Sequence, residues 1–284
     1  MTFEIKSTIA AAGGRILKLS HPSSATKTPM AVNIFLPPSA SATAPAPVLL
    51  YLSGLTCSPD NCTEKGFLHI WAARAGIALV WPDTSPRGLA LPGEHDAWDF
   101  GSAAGFYIDA TQAPWRDHYR MEEYVVRELP AALAAQFAEL DMKRVSIAGH
   151  SMGGHGALTL YLKNPGMYKS VSAWAPIANA AQCGWGEKAF SGYLGEDREE
   201  WKKHDATELV AGWKGPLNAL IDVGTDDPFY KQKQLLPENF EAAAEKAGLQ
   251  GLTVRYQKGY DHSYFFVSTF GEDHVKHAAK FLFS

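Results

Sequence analysis

Cysteine is scarce in this 284-residue chain. Cys57, Cys62 and Cys183 are too few, and odd in number, for a secreted disulfide scaffold. Charge of one sign is also missing: 26 Lys and Arg face 30 Asp and Glu, for a formal net charge of −4. Without a basic excess there is no electrostatic case for a nucleic acid partner or an anionic membrane. No apolar run approaches the ~20 residues that span a bilayer. The first residues carry an acid at Glu4 and no apolar core of signal-peptide length. These absences predict a soluble, cytoplasmic protein with reduced thiols. Internal repeats are absent, and the only biased tract is the Pro- and Ala-rich stretch 37–47, read as a surface connection.

What is present is ordinary globular composition, 46% hydrophobic and 20% charged. A chain of this length buries roughly 75% of its extended-state surface and needs no disulfide or metal staple. Alternating β-prone segments at 3–8, 15–20 and 30–36 predict an antiparallel start to a sheet. Short apolar runs at 48–52, 77–81, 145–148, 170–174, 218–223 and 252–256 read as strands buried on both faces. Helical stretches at 63–75, 120–137, 152–163, 235–247 and 262–282 alternate with them. This pattern predicts an α/β fold with a mostly parallel sheet flanked by helices on both faces. Two long segments, 82–119 and 176–215, follow strands and should lie over the carboxyl edge of the sheet, where open α/β folds bind ligands.

The strongest local signal is Gly149-His150-Ser151-Met152-Gly153. It lies between a predicted strand and a predicted helix, the context of a nucleophile elbow. The turn is so tight that a Cβ at 149 or 153 would meet neighbouring chain. A phosphate loop is excluded, because Thr159 stands where a third glycine would be needed and no Gly-Lys-Ser/Thr follows. An elbow serine needs an acid and a histidine further along the chain. His262 falls after the last predicted strand, where such folds place the base. His150 and His155 flank the serine and point away from it, so they are read as packing. His274 and His277 are read as surface residues of the last helix. For the acid, Asp226 and Asp227 both follow the strand 218–223, and Asp227 is preferred. Asp222 lies inside that strand and is read as structural.

The oxyanion hole needs the N–H of Met152 and a second one from the loop after an early strand, for which Leu55 is the candidate. Cys57 should lie near the site, although a small buried hydrophobe describes it equally well. Trp98, Phe106, Tyr107 and Trp185, from the two long segments, are candidate pocket lining. Simple packing of those segments accounts for any one of them too. The chemistry requires no metal and no organic cofactor.

Longer motifs then narrow the field. The runs Leu52–Cys57, Pro82–Gly88, Ala97–Gly101, Ala104–Thr111, Gly149–Leu158, Lys188–Gly195, Gln234–Phe240 and Gly259–Tyr264 occur in order. With them the chain resembles the S-formylglutathione hydrolase (esterase D) family of α/β-hydrolases, from about residue 3 to the end. The resemblance implies Ser151, Asp227 and His262 as triad. It also implies hydrolysis of S-formylglutathione to formate and glutathione in formaldehyde detoxification, side carboxylesterase activity, and a homodimer. Cys62 and the segment Cys183–Glu187 depart from the family pattern and touch fine specificity. A short-chain carboxylesterase or acyltransferase would share the chemistry. A non-catalytic binding module would usually have lost a triad residue. Because Ser151 and His262 must meet over one sheet, residues 1–284 are expected to form one domain.

Overall fold

The computed structural model describes residues 2–284. The N-terminal alternating segments form β1 (Glu4–Ala11), β2 (Gly14–Pro22) and β3 (Pro29–Leu36), paired antiparallel. The apolar runs form β4 (Ala46–Leu52), β5 (Ala78–Pro82), β6 (Leu140–His150), β7 (Val171–Trp174), β8 (Ala219–Gly224) and β9 (Leu252–Gln257). All nine join one sheet in the order β1-β2-β3-β5-β4-β6-β7-β8-β9. β3 meets β5 antiparallel, and every pairing from β5 to β9 is parallel.

β4, β5, β7 and β8 are buried along their length, as strands covered on both faces must be. β9 departs from that expectation. It is the sheet edge and only partly buried. The helix Met152–Lys163 packs on β4, β6 and β7 from one side. Gly271–Leu282, with Leu68–Ala75 beside it, covers the same strands from the other. The chain leaves β4 for β5 on one side and later returns to β6 on the other. The carboxyl ends of β4 and β6 therefore flank a topological switch point, where open α/β sheets bind ligands.

Two expected helices are each broken in two. Residues 63–75 divide between Pro59–Lys65 and Leu68–Ala75, because Phe67 takes a left-handed φ of 53°. Residues 262–282 divide into Tyr264–Thr269 and Gly271–Leu282. Ser263 caps the first of these, which leaves His262 on a loop. The segment 176–215 carries helices Gly184–Leu194, Arg198–Lys202 and Ala206–Val210, whereas 82–119 holds only short bridges. The two segments clasp each other. Tyr193 Oη donates to Ala104 O (3.0 Å) and accepts from Gly101 N–H (2.8 Å), and its ring stacks on Phe100 at 4.5 Å.

His274 and His277 are not surface residues. His274 is fully buried, with its ring stacked on Trp174 (3.5 Å between centroids) and Nε2 3.1 Å from Asp222 Oδ2. His277 is half-buried and Nε2 donates to Asn218 O at 3.0 Å. The 3.6-residue period that hides Val275, Ala278 and Leu282 carries His274 inward with them. Asp222 also accepts from Arg255 Nε (2.6 Å) and Nη2 (2.5 Å). Burial pushes this carboxyl up, but the His274 and Arg255 hydrogen bonds outweigh it and hold it at about 2. Asp222→Ala is therefore expected to destabilise the fold by about 1–3 kcal/mol at pH 7, since Arg255 keeps only the half-exposed Asp273 and the buried His274 Nε2 loses its acceptor. A depressed carboxylate contributes stability above its unfolded value of 3.8 and loses it as pH falls toward 2. The gap between thermal melts of variant and wild type should accordingly begin to narrow below about pH 4 and be smallest near pH 2. A gap unchanged with pH would contradict the ionic account.

Candidate active site

Ser151 sits where β6 turns into the helix Met152–Lys163, with φ 59° and ψ −120°. A non-glycine residue with positive φ stores about 1–3 kcal/mol, so the surroundings must over-determine it. Here they do. A Cβ on Gly149 would fall 2.0 Å from Gly153 O, and one on Gly153 would fall 2.0 Å from Leu52 O. The Ser151 N–H donates to Trp174 O at 2.9 Å, and its carbonyl accepts from His155 N–H at 3.0 Å. The elbow is thus clamped between β4 and β7.

Asp227 and His262 come from the loops after β8 and β9. Asp227 Oδ2 lies 2.5 Å from His262 Nδ1, and Oδ1 accepts the N–H groups of Phe229 (2.7 Å) and Tyr230 (3.2 Å). Both carboxylate oxygens of this fully buried residue are in use. Asp226, the alternative, is exposed and pairs with Lys231 at 2.9 Å. Asp261 turns back to Ser263 N–H (2.9 Å) and Oγ (2.6 Å). With Nδ1 committed to Asp227, His262 Nε2 has no protein partner among the described residues, and it shares its pocket with Ser151. His150 packs its ring against His262 at 4.5 Å, and burial followed by the His262 charge pushes His150 well below the ordinary histidine range. It therefore stays neutral beside the working imidazole.

A pocket of about 250 Å³ opens over these residues. Its walls include Gly54, Leu55, Cys57, His150, Ser151 and His262, together with the aromatic rings of Trp98, Trp185, Phe229 and Tyr264. A groove of about 490 Å³ along the helix face at Ala131, Ala132 and Ala135 is larger, but no histidine lines it and its one hydroxyl, Ser24, donates to Glu128 Oε1 at 3.1 Å. Leu55 follows the carboxyl end of β4, and Met152 opens the helix. Among the described residues neither backbone N–H has a protein acceptor. Two unpaired donors on either side of Ser151, one at a helix N-terminus, suit a developing oxyanion.

Trp98 and Trp185, one from each long segment, both line this pocket and meet edge to face at 5.6 Å. Phe106 and Tyr107, by contrast, do not line the pocket. Both are fully buried behind the elbow. Tyr107 Oη donates to Ser53 O at 2.8 Å, and its ring would lie 2.5 Å from a Cβ on Gly156. Phe106 packs on His155 at 5.8 Å. Both take positive φ (50° and 52°), and both rings are buried in the core.

The comparisons with known proteins come down on one side. The Esterase family matches residues 23–277. S-formylglutathione hydrolase of Bos taurus is 49% identical over 271 residues, 95% of each chain. That of Arabidopsis thaliana is 51% identical over 254 residues, 89% of this chain and 88% of its own. A solved S-formylglutathione hydrolase from Agrobacterium tumefaciens superposes with a TM-score of 0.93 at 45% identity, covering 99% of this chain and 100% of its own. The chain belongs to the S-formylglutathione hydrolases of the esterase family.

Against that family's pattern, the departures have local explanations. Cys183 caps the helix Gly184–Leu194, with Sγ accepting from Gly186 N–H at 3.5 Å. It therefore helps to orient Trp185, whose own N–H donates to Gln234 Oε1 at 3.0 Å. Cys62 is fully buried, and burial pushes its thiol up to about 12. It is a packing residue. Cys57 lines the pocket, with Sγ 4.0 Å from Tyr264 Oη, and burial raises its thiol as well.

Sequence reasoning missed Phe229 and Tyr264. Phe229 stands edge-on to His262 at 4.8 Å and touches Trp185 at 4.7 Å. Its place two residues after Asp227 was a usable signal, because the capping carboxylate fixes the direction of the next turn. Phe229→Ala is expected to lower kcat/KM by roughly 3- to 10-fold, mainly through KM, since an aromatic pair of this geometry contributes about 0.5–1.5 kcal/mol. Steady-state kinetics checks it. A fall confined to kcat would move Phe229 from binding to catalysis.

Proposed function

We propose that Ser151, Asp227 and His262 form a catalytic triad that hydrolyses S-formylglutathione to formate and glutathione. The observation that carries this reading is the Asp227–His262 bond inside the pocket that also holds Ser151 and the unpaired Leu55 and Met152 N–H groups. Ser151 Oγ attacks the thioester carbonyl as His262 Nε2 takes its proton. The two N–H groups receive the oxyanion. The glutathione thiolate leaves and is protonated by His262. A water molecule, deprotonated by the same imidazole, then attacks the formyl-enzyme, and His262 returns that proton to the departing Ser151 Oγ as formate is released.

The pocket suits a very small acyl group at its floor, with the leaving group passing between Trp98, Trp185 and Phe229. No Lys or Arg lines it among the described residues, so the glutathione carboxylates are placed beyond the mouth. Aryl and short alkyl esters are secondary substrates on this reading. The protein is read as one domain that works in the cytoplasm, where reduced glutathione is plentiful. Its three buried free thiols accord with that. No helix among the described residues is long and apolar enough to cross a membrane. The homodimer that the resemblance implies is tested by sedimentation equilibrium, where a single monomeric species would contradict it. The catalytic reading is tested by fluorophosphonate labelling, which should modify one serine, Ser151, stoichiometrically. An unlabelled Ser151 would overturn it.

A further inference from the structure

The run Pro82–Gly88 belongs to no part of the triad, yet its side chains converge on the turn that presents Leu55. In that turn Cys57 N–H donates to Gly54 O at 3.3 Å, and Thr56 holds a left-handed φ of 68°. A non-glycine residue in that region stays there only if neighbours hold it. The Cys57 carbonyl is held twice, by Thr84 Oγ1 (2.6 Å) and Arg87 Nη2 (2.9 Å). Arg87 is in turn locked on Asp83 through Nε–Oδ2 (2.8 Å) and Nη2–Oδ1 (2.7 Å). Asp83 Oδ1 also accepts Thr84 N–H at 2.7 Å. On the other side, Thr56 N–H donates to Ala103 O (3.0 Å), and Ala103 N–H donates to Ser85 Oγ (2.8 Å). The ties that hold the Thr56 N–H and the Cys57 carbonyl of the strained turn therefore run directly or in one step to residues 83–87.

We propose that Arg87 is a positioning residue for the oxyanion hole, fixing the Cys57 carbonyl so that the Leu55 N–H points at the developing charge. This rests on the hydrolase reading above. The guanidinium does not line the active-site pocket. It lies behind the turn, in a separate groove with Lys18 and Asp60. It thus acts through backbone and not by touching substrate. The physical requirement is strict, because an oxyanion donor works at about 2.7–3.1 Å from the oxygen it stabilises. A misplacement of about 1 Å costs on the order of 10²-fold in rate. Arg87→Ala also leaves the buried Asp83 carboxylate, only 6% exposed, without its cation and so costs stability as well as rate, whereas Thr84→Val frees the Cys57 carbonyl from its shortest bond with the Arg87–Asp83 pair intact. Rate and stability should therefore separate most clearly in Thr84→Val.

The test compares wild type with Arg87→Ala, Arg87→Lys and Thr84→Val. Rates are expressed per fluorophosphonate-labelled Ser151, so that misfolded protein does not count. Arg87→Ala should lose at least tenfold in kcat with KM within threefold. Its affinity for a trifluoromethyl ketone, which forms an oxyanion on Ser151, should fall in parallel, and added methylguanidinium should restore part of the rate. Arg87→Lys should fall between the two. If Arg87→Ala does not fold, Thr84→Val carries the same expectation. A loss of less than tenfold per labelled site, or one confined to KM, overturns the proposal. All variants are assayed on p-nitrophenyl acetate as well as S-formylglutathione. Wild type that hydrolyses only the aryl ester would remove the substrate assignment and leave the Arg87 comparison readable.

Discussion

Ser151→Ala is expected to lower kcat on S-formylglutathione by about 10⁵–10⁶-fold, the scale on which loss of an elbow or triad serine acts. The residual activity should be indifferent to further loss of His262, because a base without its nucleophile has nothing to activate. The same substitution should leave thermal stability unchanged or slightly raised. At φ 59°, ψ −120° the serine is held in a conformation that stores about 1–3 kcal/mol, and alanine keeps the same backbone demand without the hydroxyl. Rate and melting curves on one preparation check both halves. A fall of less than a hundredfold would mean that another group attacks the thioester.

Asp227→Asn should cost about 10⁴-fold in kcat, whereas Asp226→Asn should stay within about twofold. The asymmetry follows from adjacent residues meeting opposite surroundings. Asp227 is fully buried, with one oxygen on His262 and the other on two backbone N–H groups. An asparagine there cannot accept the Nδ1 proton and the two N–H groups with the same atoms, so the imidazole is left in the wrong tautomer. Asp226 is exposed, and its bond to Lys231 is a surface pair. Side-by-side kinetics of the two variants decides. A crippled Asp226→Asn with an active Asp227→Asn would reverse the assignment of the acid.

Much of the molecule was legible because its signals are local. All nine strands lie where apolar runs or alternation placed them, and the elbow at Ser151 follows from two glycines that no Cβ could replace. The readings that failed needed tertiary knowledge. Phe106 and Tyr107 sit in a long segment over the catalytic edge, as a pocket residue would. The left-handed backbone that both adopt has no residue-type signature, since neither is glycine. His274 looks like any polar residue on an amphipathic helix until Trp174 and Asp222 close over it. The reach of Arg87 to Cys57 spans 30 residues and two loops, so no periodicity reveals it. The breaks at Phe67 and Phe270 were hidden for a similar reason. Helical spacing continues across them, and only close packing, such as Gly271 against Leu68, fixes where the axis turns.

The central claim is that this pocket is built for a thioester with a tiny acyl group and a large thiol. The most direct measurement is kcat/KM for S-formylglutathione against that for p-nitrophenyl acetate on the same enzyme. The account predicts a preference for the thioester of at least tenfold, or about 1.4 kcal/mol of differential transition-state binding. Equal values, or a preference for the aryl ester, would contradict it and mark the protein as a general short-chain carboxylesterase.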